Sequence, residues 1–142
     1  MPVVLEDDKM CYACGHLNAA GLRLRFKHVP GLLTSSVVFR REHQGFRGIV
    51  HGGMIALVLD EMMVNLAWVE GHGAVTAELT VRLKKAARVG EEILLEGRIE
   101  RLKGRLLEAS ATARNASGEL LASATASCLR MKAPVPPESD NP

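Results

Sequence analysis

Residues 52–68 read GGMIALVLDEMMVNLAW, a stretch that is apolar except for Asp60, Glu61 and one asparagine. Its length and composition predict an α-helix that is apolar on nearly every side, which requires other elements to cover it. The sequence EGHG at 70–73 predicts the end of this helix, because glycines suit a C-terminal cap and the turn that follows. The stretch therefore predicts a central helix with the rest of the chain around it.

The segments on either side of this helix predict β-strands. Four stretches that alternate apolar and polar residues follow the helix, at 74–84, 91–102, 106–115 and 119–131. Upstream, GLRLRFKHV and GLLTSSVVF predict a hairpin about the Pro-Gly pair at 30–31.

Two successive strands carry small residues on one face. The rows are Leu107, Ala109, Ala111 and Ala113, then Ala122, Ala124, Ala126 and Cys128. Small side chains leave a shallow surface, so a helix with bulky side chains can approach the sheet closely. The chain is therefore expected to be α+β. It forms either a two-layer sandwich or, more specifically, a curved antiparallel sheet wrapped around one long central helix.

Size and composition restrict the functions open to the chain. Its 142 residues, 47% of them hydrophobic, predict one packed domain at 1–132, and the proline-rich residues 133–142 predict a disordered tail. A net charge of +2 and 4% aromatic residues argue against a nucleic-acid partner. The acidic N-terminus does not match a signal peptide, and charged residues interrupt the longest apolar run. We expect a cytoplasmic protein with no membrane segment.

Three cysteines raise the question of a metal site. Cys11 and Cys14 have the C-x-x-C spacing of many zinc ligands, but structural zinc takes four ligands. The sequence offers only Cys128 and His16 as further candidates, and no second C-x-x-C occurs. We therefore expect small buried thiols, no metal and no cofactor.

Asp60 needs an explanation, because carboxylates are rarely buried unpaired and the helix holds no lysine or arginine. His51 lies nine positions earlier, about 13 Å along the helix and on nearly the opposite face. Within one chain the two side chains cannot reach one small reacting group. Two such helices packed antiparallel about a two-fold axis would bring His51 and Gly52 near Asp60 of the partner subunit. A dimer is then the smallest active unit.

The start of the helix is suited to binding a developing negative charge. Gly52 and Gly53 expose backbone N–H groups that have no partner within the helix, and the helix dipole supports them. Such groups stabilise the oxyanion that forms on a carbonyl, while a facing carboxylate activates water or attacks the carbonyl itself. These parts suit acyl transfer to water. Glu61 points about 100° away from Asp60, so we expect it to meet solvent, a neighbouring subunit or a basic group.

Three stretches carry a resemblance to a known family. GFRGIVHGGMIALVLDE at 45–61 resembles the signature of hotdog-fold acyl-CoA thioesterases of the PaaI-like superfamily. CYACGHLNAAGLRLRF at 11–26 resembles an N-terminal segment of one branch, and VTAELTVRLKKAARVGE at 75–91 resembles the strand after the helix. The resemblance implies a hotdog fold that hydrolyses an acyl-CoA, or a related acyl thioester, to acid and thiol. It also implies a homodimer or a homotetramer built as a dimer of dimers.

The resemblance further implies residue roles. The Gly52 amide would polarise the thioester carbonyl, Asp60 of the partner subunit would be the base or the nucleophile, and Thr76 would place the water or the carboxylate. Simple alternation, however, puts Thr76 on the polar face of the strand at 74–84, opposite Val75, Ala77, Leu79, Val81 and Leu83. Access of Thr76 to the helix therefore needs a bulge or a strand end.

Three residues of the loop and helix start complete the predicted site. His51 is expected to orient the loop or to transfer a proton, with a helix cap as the structural alternative, and Gly53 is expected to contact substrate. Some relatives carry an amide side chain at the position of Gly45, and the neighbouring Gln44 is a possible substitute.

Other functions remain open on the same sequence. A non-catalytic acyl-CoA-binding hotdog protein would keep the glycine amides but would have no need of Asp60. An enoyl-CoA hydratase-type enzyme would pair an acid and a histidine in a different local pattern, and a purely structural protein would leave the carboxylate unexplained. The acyl group stays open, as does the set of basic residues that would meet CoA phosphates among Arg47, Arg82, Lys84, Lys85 and Arg88.

Overall fold

The computed structural model describes residues 4–131, and the predicted tail at 133–142 lies outside this range. A central helix, α1, spans Gly52–Val69, one residue beyond its predicted end. Glu70 is its C-terminal cap, and Gly71 follows with φ of 84°. The left-handed backbone at Gly71 explains why a glycine ends the helix there. The prediction of a helix ended by EGHG is confirmed.

Six antiparallel strands form a single sheet around α1. In chain order the strands are β1 (Lys27–Val29), β2 (Leu32–Val38), β3 (Ala74–Leu83), β4 (Glu92–Lys103), β5 (Leu106–Asn115) and β6 (Leu120–Arg130). Their order across the sheet is β1-β2-β4-β5-β6-β3, so β3 forms one edge. The predicted hairpin is the β1–β2 pair, turning at Gly31 with φ of 80°. The curved antiparallel sheet around one long helix is confirmed.

The helix packs closely on the sheet because the facing strands carry small residues. The predicted alanine rows of β5 and β6 are buried as one continuous surface. On β4, a Cβ added to Gly97 would lie 2.6 Å from the backbone oxygen of Met62 on α1. By length and hydropathy α1 could cross a membrane, but the helix at the centre of a folded core has the same properties. Here seven of its residues are buried.

The β3 strand departs from simple alternation. In its pairing with β6, Thr76 lies opposite Cys128, whereas Glu78 lies opposite Ser127, so Ala77 is an extra residue in a bulge. A bulge of one residue exchanges the two faces of the strand. Ala74 and Thr76 therefore face the helix before the bulge, and Leu79 and Val81 pack against the core after it. The prediction of one continuous apolar face was wrong: Ala77 is exposed, as is Leu83, which is 56% exposed.

Candidate active site

Asp60 lies in the middle of α1, facing β3. Thr76 Oγ1 donates a hydrogen bond of 2.6 Å to Asp60 Oδ1, and both residues are half-buried. A hydroxyl bond this short to a carboxylate is typical of a charge-assisted interaction. Within residues 4–131, no basic side chain pairs with Asp60, and its Oδ2 accepts no protein hydrogen bond. One oxygen is thus held in place while the other is free for a reactant.

The bulge in β3 makes this contact possible. It places Thr76 on the helix side of the strand, directly opposite Cys128 of β6. Burial raises the pKa of the Cys128 thiol, and the negative charge of Asp60 adds to the effect. A buried, protonated thiol is a poor nucleophile. Cys128 therefore packs beside Thr76 and does not take part in the chemistry.

The two glycine amides at the start of α1 differ in their partners. His51 is the N-cap residue, and its Nδ1 accepts a hydrogen bond of 2.8 Å from the Gly53 N–H. The Gly53 amide, predicted to contact substrate, is therefore already engaged. The Gly52 N–H donates no hydrogen bond in the described part of the chain. A Cβ on Gly52 would lie 2.8 Å from Leu83 Cδ1, so the Leu83 side chain packs against the start of α1 where a larger residue would meet it.

The loop before the helix is anchored by a buried histidine. The backbone oxygen of His43 accepts a hydrogen bond of 2.9 Å from the His51 N–H. His43 Nδ1 accepts one of 3.0 Å from the Arg40 N–H, and its ring packs edge-on against Phe39 with centroids 5.6 Å apart. His43 thereby sets the position at which α1 begins. Sequence reasoning missed this role, although a histidine immediately before a glycine-rich loop was a signal that could have identified it.

Gln44 stabilises the same loop from within. Its Oε1 accepts a hydrogen bond of 3.0 Å from the Gly48 N–H, and Gly48 has φ of 75°. The side chain predicted to contact substrate thus closes the turn at 44–48 in this structure. Phe46, at the tip of that turn, is 86% exposed.

One chain does not bring the predicted catalytic groups together. Gly52 opens α1 and Asp60 lies eight residues later, which is about 12 Å along the helix axis. Asp60 and Thr76 form one half of the predicted site, and His51 with Gly52 forms the other. A small reacting group could contact both halves only if they came from two subunits.

Glu61 lies about 100° round α1 from Asp60, on a flank that the N-terminal segment covers. It is half-buried against the N-terminal segment: Cys11 Sγ lies 3.8 Å from Glu61 Oε2, and Asn65 Nδ2 donates a bond of 3.2 Å to Glu61 Oε1. Of the three expected surroundings of Glu61, the side chain meets neither open solvent nor a basic group, because residues 11–14 cover this flank, and contact with a neighbouring subunit stays a prediction. Burial raises the pKa of Glu61, and burial together with the Glu61 charge raises the pKa of Cys14.

The basic residues considered for CoA phosphates are all exposed, and they are Arg47, Arg82, Lys84, Lys85 and Arg88. Lys85 pairs with Glu119. The Arg88 backbone forms a bridge with Ile49, which links the glycine-rich loop to the segment before β4. Of the five, Arg47 and Arg88 are tied to the glycine-rich loop, Arg47 by sequence and Arg88 by this bridge.

Comparison with known protein families agrees with this architecture. A family model described as the thioesterase superfamily matches residues 47–122, more than half of the 142 residues. The chain belongs to the thioesterase superfamily. The match contains the helix with Asp60, the strand with Thr76, and all of β4 and β5, and it ends at the start of β6.

A curated relative and several solved structures extend this superfamily assignment. Mouse acyl-coenzyme A thioesterase THEM5 is 29% identical over 72 residues, which is 51% of this chain but only 29% of the mouse protein. A thioesterase superfamily protein of known structure is 26% identical with a TM-score of 0.74, over 81% of this chain and 60% of the other. This hotdog thioesterase architecture is the fold seen here.

Two further structures share the fold at lower identity. Escherichia coli PaaI has a TM-score of 0.73 at 13% identity, over 78% of this chain and 80% of PaaI, so PaaI shares the fold. A thioesterase protein from Streptococcus pneumoniae solved with coenzyme A has a TM-score of 0.72. At 16% identity, it covers 75% of this chain and 87% of that one. The same protein was also solved with alanine at one aspartate and, separately, at one threonine.

Proposed function

We propose that this chain hydrolyses an acyl-CoA thioester to a free acid and CoA, in a site formed across a two-fold dimer interface. Asp60 supplies the base or the nucleophile, and the Gly52 amide of the facing subunit supplies the oxyanion donor. Thr76 positions the carboxylate, and His51 positions the start of the helix. The free thiols of Cys11, Cys14 and Cys128 favour a cytoplasmic location, where thiols stay reduced.

The observation that carries the proposal is the contact between Thr76 and Asp60. Burying a carboxylate without a basic partner destabilises the folded protein, and a purely structural role would not offset that loss of free energy. Here a hydroxyl orients one oxygen at 2.6 Å and leaves the other without a protein partner. That is the arrangement expected of a group that must accept a proton from water or attack a carbonyl.

The related proteins support the same assignment. In the S. pneumoniae thioesterase protein, the aspartate and the threonine replaced by alanine are sixteen positions apart. Asp60 and Thr76 have the same separation. That protein was solved with coenzyme A, and the mouse relative is named as an acyl-CoA thioesterase. These names are the basis for proposing CoA as the thiol of the substrate.

The geometry supports a simple sequence of steps. The Gly52 N–H, reinforced by the helix dipole, polarises the thioester carbonyl and stabilises the oxyanion of the tetrahedral intermediate. Oδ2 of the partner's Asp60 removes a proton from water as the water oxygen bonds to the carbonyl carbon. The C–S bond then breaks, and the proton is returned to the leaving thiolate. In direct attack, an Asp60 oxygen would instead bond to the carbonyl carbon as the C–S bond breaks and the CoA thiolate leaves, and water would then hydrolyse the resulting anhydride to the free acid and the Asp60 carboxylate.

A dimer would complete the site through the edge of the sheet. β3 is a ten-residue edge strand with no neighbour on its outer side within the described chain. A long unpaired edge invites pairing with another strand. Two β3 strands paired about a two-fold axis would extend the sheet and lay two α1 helices side by side, antiparallel. A homodimer, or a homotetramer built as a dimer of dimers, is therefore part of the proposal.

A thiol-release assay over a panel of acyl-CoA esters tests the activity. We expect wild-type turnover that falls at least about 100-fold in Asp60→Asn, the loss expected when a general base is removed. Glu92→Gln, which neutralises an exposed acid on β4, is the matched control and should retain full activity. Wild-type turnover that persists in a folded Asp60→Asn protein would remove Asp60 from the mechanism. Saturable binding without turnover would favour a binding module.

Subunit complementation tests the shared site. Gly52→Pro removes the proposed oxyanion donor, and proline suits the first helical position because His51 already has φ −57° and ψ 132°. Its Cβ would lie 2.8 Å from Leu83 Cδ1, so the end of the exposed Leu83 side chain must move, and circular dichroism checks that the variant is folded. Gly52→Pro and Asp60→Ala should each be inactive alone. Co-expressed, their mixed dimers hold one intact site, so about a quarter of wild-type activity should return. No recovery in verified mixed dimers would place both groups in one subunit.

A further inference from the structure

The flank of α1 that the N-terminal segment covers carries a second group of reactive side chains. Cys11, Cys14 and Glu61 each place one possible ligand atom within 4.8 Å of the other two. Asn65 lies against the same group, with Nδ2 3.7 Å from Cys14 Sγ and 3.2 Å from Glu61 Oε1. The thioesterase chemistry proposed above uses none of these four side chains.

The turn at residues 11–15 fixes the positions of the two cysteines through backbone N–H contacts. The Cys14 N–H points at Cys11 Sγ at 3.5 Å, and the Gly15 N–H donates a hydrogen bond of 2.8 Å to the Cys11 oxygen. A Cβ on Gly15 would lie 2.4 Å from the Cys11 nitrogen and 2.5 Å from the Lys9 oxygen. Only glycine allows the turn to close this tightly. A backbone N–H directed at sulfur stabilises a thiolate and orients it as a ligand.

The spacing of the atoms is close to that around a tetrahedral zinc ion. With Zn–S of about 2.3 Å and Zn–O of about 2.1 Å, a sulfur and an oxygen ligand lie about 3.6 Å apart. Cys11 Sγ and Glu61 Oε2 are 3.8 Å apart. Rotation of the Asn65 amide would put Oδ1 where Nδ2 now lies, which supplies a fourth donor. Small side-chain adjustments would therefore close a four-ligand shell.

The charge of the group also favours a cation. Glu61 is half-buried next to Asp60 in sequence, and no lysine, arginine or histidine forms an ion pair with it among residues 4–131. Buried charges are paired or bound to metals in most proteins. Two thiolates and a carboxylate are the donor set of a thiophilic divalent ion rather than of magnesium or calcium.

We propose that Cys11, Cys14 and Glu61 bind one Zn²⁺ ion that fastens the N-terminal segment to α1. The ion neutralises Glu61 one residue away from Asp60 and fixes the flank of the helix that the N-terminal segment covers. His16 and Cys128, the other donors offered by the sequence, lie outside this group: His16 is exposed, and Cys128 is buried beside Thr76. The inference concerns metal binding alone and does not depend on the substrate or on catalysis.

Metal titration of the full-length chain tests the proposal. The protein is reduced and stripped of metal with a chelator. One sample is titrated with Zn²⁺ against a chromophoric competitor. A second metal-free sample is titrated with Co²⁺, whose thiolate charge-transfer band reports sulfur ligands. We expect one equivalent of metal per chain, a thiolate band with Co²⁺ and a higher Tm in the zinc form. Cys11→Ser and Glu61→Gln should each weaken zinc binding at least tenfold, and Cys11→Ser should also weaken the band.

Two variants serve as matched controls. Cys128→Ala removes the third thiol and His16→Ala removes the histidine that follows the cysteine turn in sequence, and both variants should bind zinc as the wild type does. Gel filtration and circular dichroism confirm that each variant is folded. The proposal is overturned if the reduced wild type takes up no stoichiometric Zn²⁺, or if folded Cys11→Ser binds it with unchanged affinity. It is equally overturned if either control loses as much affinity as Cys11→Ser.

Discussion

The hydrogen bond from Thr76 to Asp60 gives the most direct quantitative prediction. Thr76→Val removes the hydroxyl and keeps the branched shape of the side chain. A hydrogen bond to a charged group contributes about 1.5–3 kcal/mol, and the 2.6 Å distance places this bond among the short, strong ones. If that energy orients Asp60 in the transition state, kcat/KM should fall about 10- to 160-fold, since each 1.36 kcal/mol is a factor of ten.

The assay is thiol release from the best acyl-CoA ester of the panel, measured under kcat/KM conditions. Thr76→Ser is the matched control, because it restores a hydroxyl at the same position and should retain most of the activity. A double-mutant cycle with Asp60→Asn isolates the pair. In the Asp60→Asn background, Thr76→Val should cost little more, because residues that act as a unit are not additive.

Two results would refute this reasoning. Near wild-type kcat/KM in a folded Thr76→Val protein would mean that the hydroxyl does not position Asp60. Losses that are fully additive with those of Asp60→Asn would mean that Thr76 acts on something else, such as the water or the strand bulge. Urea unfolding of each variant separates these outcomes from simple loss of the fold.

Two further predictions concern packing and charge. Gly97→Ala places a Cβ 2.6 Å from the Met62 oxygen, so we expect about 1–3 kcal/mol of destabilisation in urea unfolding; an unchanged midpoint would contradict the close helix–sheet contact. In chelator-treated protein, burial raises the pKa of Glu61 above its ordinary 4.5. The contribution of Glu61 to the free energy of unfolding is therefore full below pH 4.5, and it is lost as the pH rises through the raised pKa. Relative to wild type, Glu61→Gln should therefore gain stability with rising pH, by at most about 1.4 kcal/mol per pH unit; parallel pH–stability curves would disprove this.

The sequence predicted the architecture well because most of it depends on local patterns, namely the spacing of hydrophobic residues and the glycines at turns. The helix end, the hairpin at Gly31 and the alanine rows of β5 and β6 were all readable, since each depends on residues close together in the chain. The β3 faces were not readable in the same way. A bulge at Ala77 leaves no mark in an alternating pattern, and only the pairing with β6 reveals it.

Contacts between distant segments were the part that sequence could not supply. Cys11 and Glu61 are fifty residues apart, and only cysteines and histidines were considered from the sequence as possible zinc ligands. The position of Glu61, about 100° round the helix from Asp60, predicted that the two acids would face different surroundings. Which surroundings each would meet depended on where the N-terminal segment packs, and no local pattern encodes that.

The two adjacent acids of α1 lie in different surroundings. Asp60 faces an edge strand whose hydroxyl donates a hydrogen bond to it, while Glu61 faces the cysteine-bearing turn of the N-terminal segment. Because successive residues of a helix are about 100° apart, one apolar helix presents two carboxylates to two separate groups of side chains. The two proposals can therefore be tested independently, since substitutions at Thr76 leave the cysteine turn intact and substitutions at Cys11 leave the Thr76–Asp60 contact intact.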